Sequence, residues 1–146
     1  MNPPGRFELT RVPGVGPDTS ILGELAGSVV VEIGCGSGHN IAHLVAHHDA
    51  VGIGIDHDPA KIHRARTFYG HIPGLQFMHD DAEQNLCRLA PGSVDVIVSI
   101  FGALSFTDDL RSLLRACSRA LAPHGRLLVT LRADDDHDQV TLLRHR

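Results

Sequence analysis

The sequence predicts an α/β protein, a doubly wound and mostly parallel sheet with helices on both faces. Three observations predict it. Short apolar runs alternate with amphipathic segments between residues 28 and 131, the pattern of right-handed βαβ crossovers. The first run, Val29 to Ile33, leads directly into glycines at Gly34, Gly36 and Gly38. The run from Val94 to Ile100 is almost continuously apolar, as in a strand covered on both faces.

Each element has its own justification. Residues 1 to 17 are rich in proline and glycine and read as an irregular arm. Ile21, Leu22 and Leu25 then share a helical face, with Asp18 or Thr19 available as N-cap. Val29 to Ile33 is strand one, and Ile41, Leu44 and Val45 mark a helix over His39 to His48. Val51 to Ile55 is strand two, ended by Asp56. Asp58-Pro59 opens the next helix, an N-cap before a proline at the first helical position. Leu75 to Met78 is strand three and Val94 to Ile100 strand four. Thr107 to Leu121 is a helix with Leu110, Leu113, Leu114 and Cys117 on one side. Pro123-His124-Gly125 is a turn, and Arg126 to Leu131 is strand five. The remaining 15 residues have room for one short helix, Gln139 to Leu143.

Composition narrows the function. A length of 146 residues fits one domain with a sizeable core. No apolar run approaches the roughly 18 residues of a membrane span, and residues 1 to 27 lack the apolar centre of a signal peptide. Three widely spaced cysteines form neither a disulfide framework nor a metal pattern, which fits a reducing cytoplasm. The net charge of −4 offers no basic footprint for nucleic acid. The eleven histidines are scattered and read as compositional bias. The acidic run Asp134 to Asp138, with His137, reads as a solvated tail rather than a metal site, because consecutive residues cannot all face one ion.

The glycine turn carries the chemistry. Glycine has no Cβ and tolerates positive φ, so a ligand can approach the backbone closely. A dinucleotide fingerprint reads G-x-G-x-x-G, but here His39 stands where its last glycine belongs, which disfavours a nicotinamide-dependent oxidoreductase. Asp56 lies 18 residues beyond Gly38 at the end of strand two, where a carboxylate can accept two hydrogen bonds from a ribose diol. Asp81, after strand three, can accept from the exocyclic amine of an adenine, with Asp80 as its neighbour. No lysine or arginine lies in the turn, so nothing there argues for a phosphate.

Five segments in order carry a resemblance. They are Val-Glu-Ile-Gly-Cys-Gly-Ser-Gly at 31 to 38, Gly-Ile-Asp at 54 to 56, Asp-Asp-Ala-Glu at 80 to 83, Ser-Val-Asp-Val-Ile-Val-Ser at 93 to 99, and Leu-Ala-Pro-His-Gly-Arg-Leu-Leu-Val at 121 to 129. Together they resemble the class I S-adenosylmethionine-dependent methyltransferases. The resemblance implies a Rossmann-like sheet of order 3-2-1-4-5, lacking the family's usual strands 6 and 7, with S-adenosylmethionine along the strand ends. It implies that Glu32 and the backbone of Gly34, Cys35, Gly36 and Gly38 border the methionine and ribose end. Asp56, with His57 beside it, would bind the ribose. Asp81 and the Ala82 amide would read the adenine, and Ser99, Ile100 and Phe101 would line the methyl path. On this reading residues 1–27 form an arm and possible lid, 28–131 the cofactor-binding domain, and 132–146 an acidic tail or short helix.

The expected reaction is methyl transfer to a small-molecule acceptor by in-line displacement, with no metal and no assigned catalytic side chain. Alignment of the reactants can supply much of the rate. His39 reads as a first-turn surface histidine and Cys35 as a small buried filler rather than a nucleophile. Ser105 stands where relatives often carry a histidine, so a base is absent there. The shortened end supports an alternative, a non-catalytic module that binds adenosylmethionine or its demethylated product, or a truncated methyltransferase fragment. It also points toward a homodimer in which a second copy completes the acceptor side.

Overall fold

A computed structural model describes the chain except Arg11, residues 101–103, 105–106 and 133–137, and the side chain of Arg132. Six strands form one sheet in the order β3-β2-β1-β4-β5-β6. They are β1 (Val29–Ile33), β2 (Val51–Asp56), β3 (Leu75–His79), β4 (Val94–Ser99), β5 (Leu121–Arg132) and β6 (Asp138–Arg144). The first five are parallel and in the order 3-2-1-4-5. Among the described residues the α-helices are α1 (His39–His48), α2 (Pro59–Tyr69), α3 (Ala82–Arg88) and α4 (Leu110–Ala120).

Strand alternation sends side chains to two cores. Val30, Val96, Val98 and Leu128 meet α1 and α2 through Ile41, Leu44, Ile62, Ala65 and Tyr69. Val31, Ile33, Ile97, Leu127 and Val129 meet α3 and α4 through Leu86, Leu113, Ala116, Cys117 and Ala120. Helix starts follow their caps. The Asp58 carboxylate accepts from the Ala60 amide at 2.9 Å and Asp109 from the Ser112 amide at 3.0 Å. The Asp109 cap begins α4 at Leu110, three residues later than the apolar spacing predicts. Asp18 caps a single 3-10 turn, Thr19–Leu22, which Gly23 ends at φ 73°, so the Ile21–Leu25 pattern does not extend into an α-helix.

Two regions differ further from the sequence expectation. Residues 138–144 form a strand, not the helix expected at Gln139–Leu143. Seven residues pair antiparallel with β5, from Arg126 opposite Arg144 to Arg132 opposite Asp138. A helix of this length is marginal alone, whereas the open edge of β5 offers a full ladder of partners. Val140 and Leu142 pack against the α1/α2 core from this strand. The sheet therefore carries an antiparallel sixth strand beyond the expected five.

The second region is the arm. Phe7 and Leu9 are almost fully buried in the α1/α2 core. Asn40 on α1 clamps Glu8, its Oδ1 accepting from the Glu8 amide at 2.9 Å and its Nδ2 donating to the Glu8 carbonyl at 2.8 Å. Thr130 of β5 donates to the Leu9 carbonyl at 2.8 Å. The arm is thus part of the packed domain.

Candidate functional site

In a doubly wound sheet, ligands sit beyond the carboxyl ends of the strands where the order reverses, here between β1 and β4. The glycine turn leaves β1 at this point. Gly34, Gly36 and Gly38 all have positive φ, at 71°, 56° and 84°. The Gly34 and Cys35 amides bond the Ile55 carbonyl at 2.8 and 3.0 Å, which ties the turn to β2. Nothing lies within 4 Å of where a Gly36 Cβ would stand, so that glycine faces open space. A Gly38 Cβ would instead meet the Phe77 ring at 2.5 Å. Gly38 begins α1 without a side-chain cap.

Asp56 is buried and braces the turn. Its Oδ2 accepts from the Gly36 amide at 2.9 Å and its Oδ1 from the Asp58 amide at 2.9 Å. Each carboxylate oxygen has a second lone pair, so the group retains acceptor capacity toward a diol. His57 points away into solvent, its Nδ1 3.8 Å from Asp56 Oδ1.

Glu32 lies beneath the turn. Burial pushes its pKa up to about 8, while the Ile41 amide opposes the shift and the Asp56 charge adds to it. Among the described residues, two buried side-chain polar atoms lack a hydrogen-bond partner, Glu32 Oε1 and Ser99 Oγ. They sit at the carboxyl ends of β1 and β4, one rung apart, since Glu32 pairs with Val98 and Ile33 with Ser99. Unpartnered buried polar atoms are rare. Here one stands on each strand of the switch point but on opposite faces, Glu32 with Val98 toward α1 and α2 and Ser99 with Ile33 toward α3 and α4.

Beyond β3 the two candidate aspartates separate. Asp80 Oδ1 accepts from the Asp81 amide at 2.9 Å. Its Oδ2 accepts from Asn85 Nδ2 at 3.1 Å and pairs with Arg88. Asp81 is exposed and caps α3 through Oδ1, which accepts from the Gln84 amide at 3.0 Å. The Asp81 cap leaves Oδ2 open, and Ala82 begins the helix. Ile100 is buried at the end of β4; Phe101 and Ser105 lie outside the described residues.

Cys35 is buried in the α1/α2 core, where desolvation and then the Glu32 and Asp56 charges raise its thiol pKa. It is a packed filler there and a poor nucleophile. His39 is exposed, with Nδ1 2.6 Å from the Tyr69 hydroxyl. Sequence reasoning missed two residues at the turn. Asn40 gave no signal because its partner Glu8 is 32 residues away. Arg64 of α2 reaches Ser37 Oγ at 3.4 Å, and only the packing of α2 beside the turn brings it there. Among the described residues no cluster of three His, Cys, Asp or Glu side chains is arranged to hold a metal ion. None of their helices is long and apolar enough to cross a membrane.

A mostly parallel sheet of this order, with a glycine turn braced by a strand-end carboxylate, defines a Rossmann-like class of fold. The chain belongs to the methyltransferase domain family, whose model matches residues 30–125, and its fold is the class I S-adenosylmethionine-dependent methyltransferase fold. It is 32% identical over 110 residues to aclacinomycin 10-hydroxylase RdmB of Streptomyces purpurascens, covering 75% of this chain and 29% of that protein. It is 33% identical over 107 residues to the ubiquinone biosynthesis O-methyltransferase of Cupriavidus pinatubonensis, covering 73% of this chain and 42% of that one. Among solved structures, an S-adenosylmethionine-dependent methyltransferase from Mesorhizobium loti matches with a TM-score of 0.67 and 27% identity. That match covers 77% of this chain and 50% of that one. The chain thus spans less than half the length of both curated relatives.

Proposed function

We propose that this chain binds S-adenosylmethionine across the carboxyl ends of β1 to β4 and transfers its methyl group to a small-molecule acceptor. The observation that carries this reading is the glycine turn, open in front of Gly36 and braced by the buried Asp56 carboxylate at the end of β2. A ligand at that point would approach the turn backbone closely and meet the spare acceptor capacity of Asp56.

When bound, S-adenosylmethionine supplies an electrophilic methyl on a sulfonium, open to in-line attack by an acceptor lone pair. The chain's own groups hold the reactants. Asp56 accepts from the ribose hydroxyls while its amide bonds keep the turn in place. Asp81 Oδ2 accepts from the adenine amine beside the Ala82 amide. Gly34, Cys35, Gly36 and Gly38 present backbone close to the methionine end, and Glu32 stands buried at the end of β1 beside them. Ser99 and Ile100 would border the methyl path at the end of β4, and alignment there supplies much of the rate.

The acidic net charge and the O-methyltransferase name of one relative support a small molecule over nucleic acid. The other relative is named a hydroxylase, so the reaction has to be measured and not read from the family. Thermal stabilisation by S-adenosylmethionine and by its demethylated product, but not by NAD, is the expected result. No shift with either compound at saturation would sink the cofactor assignment. Methyl transfer to acceptors from a metabolite extract then separates an enzyme from a binding module.

A further inference from the structure

Three of the four histidines on α1 gather at one place. The His43 ring lies 4.8 Å from that of His47 and 5.2 Å from that of His48, centroid to centroid. His43 is buried, and its Nδ1 meets the Pro4 carbonyl at 2.7 Å. A carbonyl only accepts, so Nδ1 carries the hydrogen and Nε2 is left as an acceptor. His48 Nε2 lies 3.3 Å from that atom and 3.3 Å from Thr19 Oγ1. A relay therefore runs from the arm at Pro4, through His43 and His48, to the 3-10 turn at Thr19. One turn earlier, Asn40 holds Glu8.

We propose that His43 and His48 form a pH-sensitive latch on residues 4–9 and the 3-10 turn, whose hold on α1 is full at neutral pH and weakens on acidification. With both rings neutral, the His48 Nε2–H is shared between His43 Nε2 and Thr19 Oγ1, and His43 donates to Pro4. A second proton on His43 turns its Nε2 from acceptor to donor, so the His48 N–H loses that acceptor; His48 meets it again only by moving its hydrogen to Nδ1, which ends its donation to Thr19. The titratable groups facing His43 from its own helix are His47 and His48, whose charges would be of one sign. The arm presents the Pro4 carbonyl, and its Arg6 and Glu8 pair with each other at 3.4 Å. The 3-10 turn presents the Thr19 hydroxyl, with Asp18 engaged by the Ser20 amide.

Burial holds the His43 pKa below the ordinary histidine value; the Pro4 carbonyl acts against this, and His47 and His48 add to it. The docked state thus binds fewer protons than the released one. The relay's contribution to docking is full above the ordinary value of about 6.5 and is lost as pH falls through it toward the lower docked value. The latch is independent of what the glycine turn binds.

Amide hydrogen exchange on the full chain tests it, read at Glu8 at about pH 7.5 and 5.5 and corrected for intrinsic rates. The expected result is a loss of protection at Glu8 of roughly tenfold, with Val31 and Ile97 in the central strands unchanged. His43→Gln donates to Pro4 without titrating, and His48→Gln gives a protonated His43 a carbonyl to bond. His43→Gln should abolish the pH dependence and His48→Gln should reduce it, and His48→Gln serves if His43→Gln does not fold. Equal protection at both pH values, an equal loss in both variants, or a loss shared by the central strands would each overturn the latch.

Discussion

Glu32 keeps its proton into the neutral range because the sheet removes it from water. In the unfolded chain it ionises near its ordinary value of 4.5. Between these limits the folded state holds the extra proton, so this group's contribution to stability is full below pH 4.5 and is lost as pH rises toward about 8. Glu32→Gln removes that slope. Its melting temperature, relative to the parent, should rise by several degrees between pH 5 and pH 8 in a calorimetric series. A constant difference would show that Glu32 is solvated or already ionised. Asp56 is the complementary case. Losing charge-assisted acceptors costs roughly 1.5–3 kcal/mol, so Asp56→Ala should weaken S-adenosylmethionine about 10- to 100-fold by titration calorimetry. Both acids were legible in the sequence because strand ends and glycine spacing fix where they stand. The missing partner of Glu32 Oε1 was not, since its burial depends on elements distant in sequence packing around β1.

The glycine turn shows one element serving two purposes. Gly36 and Gly38 both need positive φ, which costs an L-residue roughly 1–2 kcal/mol. Only Gly38 also meets a neighbour, the Phe77 ring and then Ala65 behind it. Gly38→Ala should therefore lower the urea midpoint well beyond Gly36→Ala, because overpacking adds about 1–3 kcal/mol to the backbone strain. Gly36→Ala should spare most of the stability and instead weaken the ligand, since its methyl enters the open space in front of the turn. Reversed ranks in the unfolding series would refute this division. Sequence spacing located the turn but could not rank its glycines, because Phe77 lies on a different strand. The same limit applies to β6. Val140, Leu142 and Leu143 suit a short helix or a strand, and the free edge of β5, invisible in local sequence, decides between them.

At the scale of the whole molecule, the arm is where sequence reading recovered least. Its prolines and glycines carry no period, and its partners are far along the chain, Asn40 on α1 and Thr130 on β5. Reading it as a lid rested on position alone. Phe7 and Leu9 are instead about as buried as any side chain of the central strands. Fully burying a residue of this size contributes about 1.5–3 kcal/mol, so the two together contribute roughly 3–6 kcal/mol. That is a large fraction of the 5–15 kcal/mol typical of a whole domain. Deleting residues 1–10 should thus lower the urea midpoint of the ligand-free protein steeply, and Phe7→Ala with Leu9→Ala should reproduce most of the loss. A segment that only closes over bound ligand would leave the ligand-free midpoint unchanged and alter affinity alone. Measuring both quantities on the deletion therefore separates a structural arm from a lid. An unchanged midpoint with weakened S-adenosylmethionine binding would show that Phe7 and Leu9 add little to the domain despite their burial.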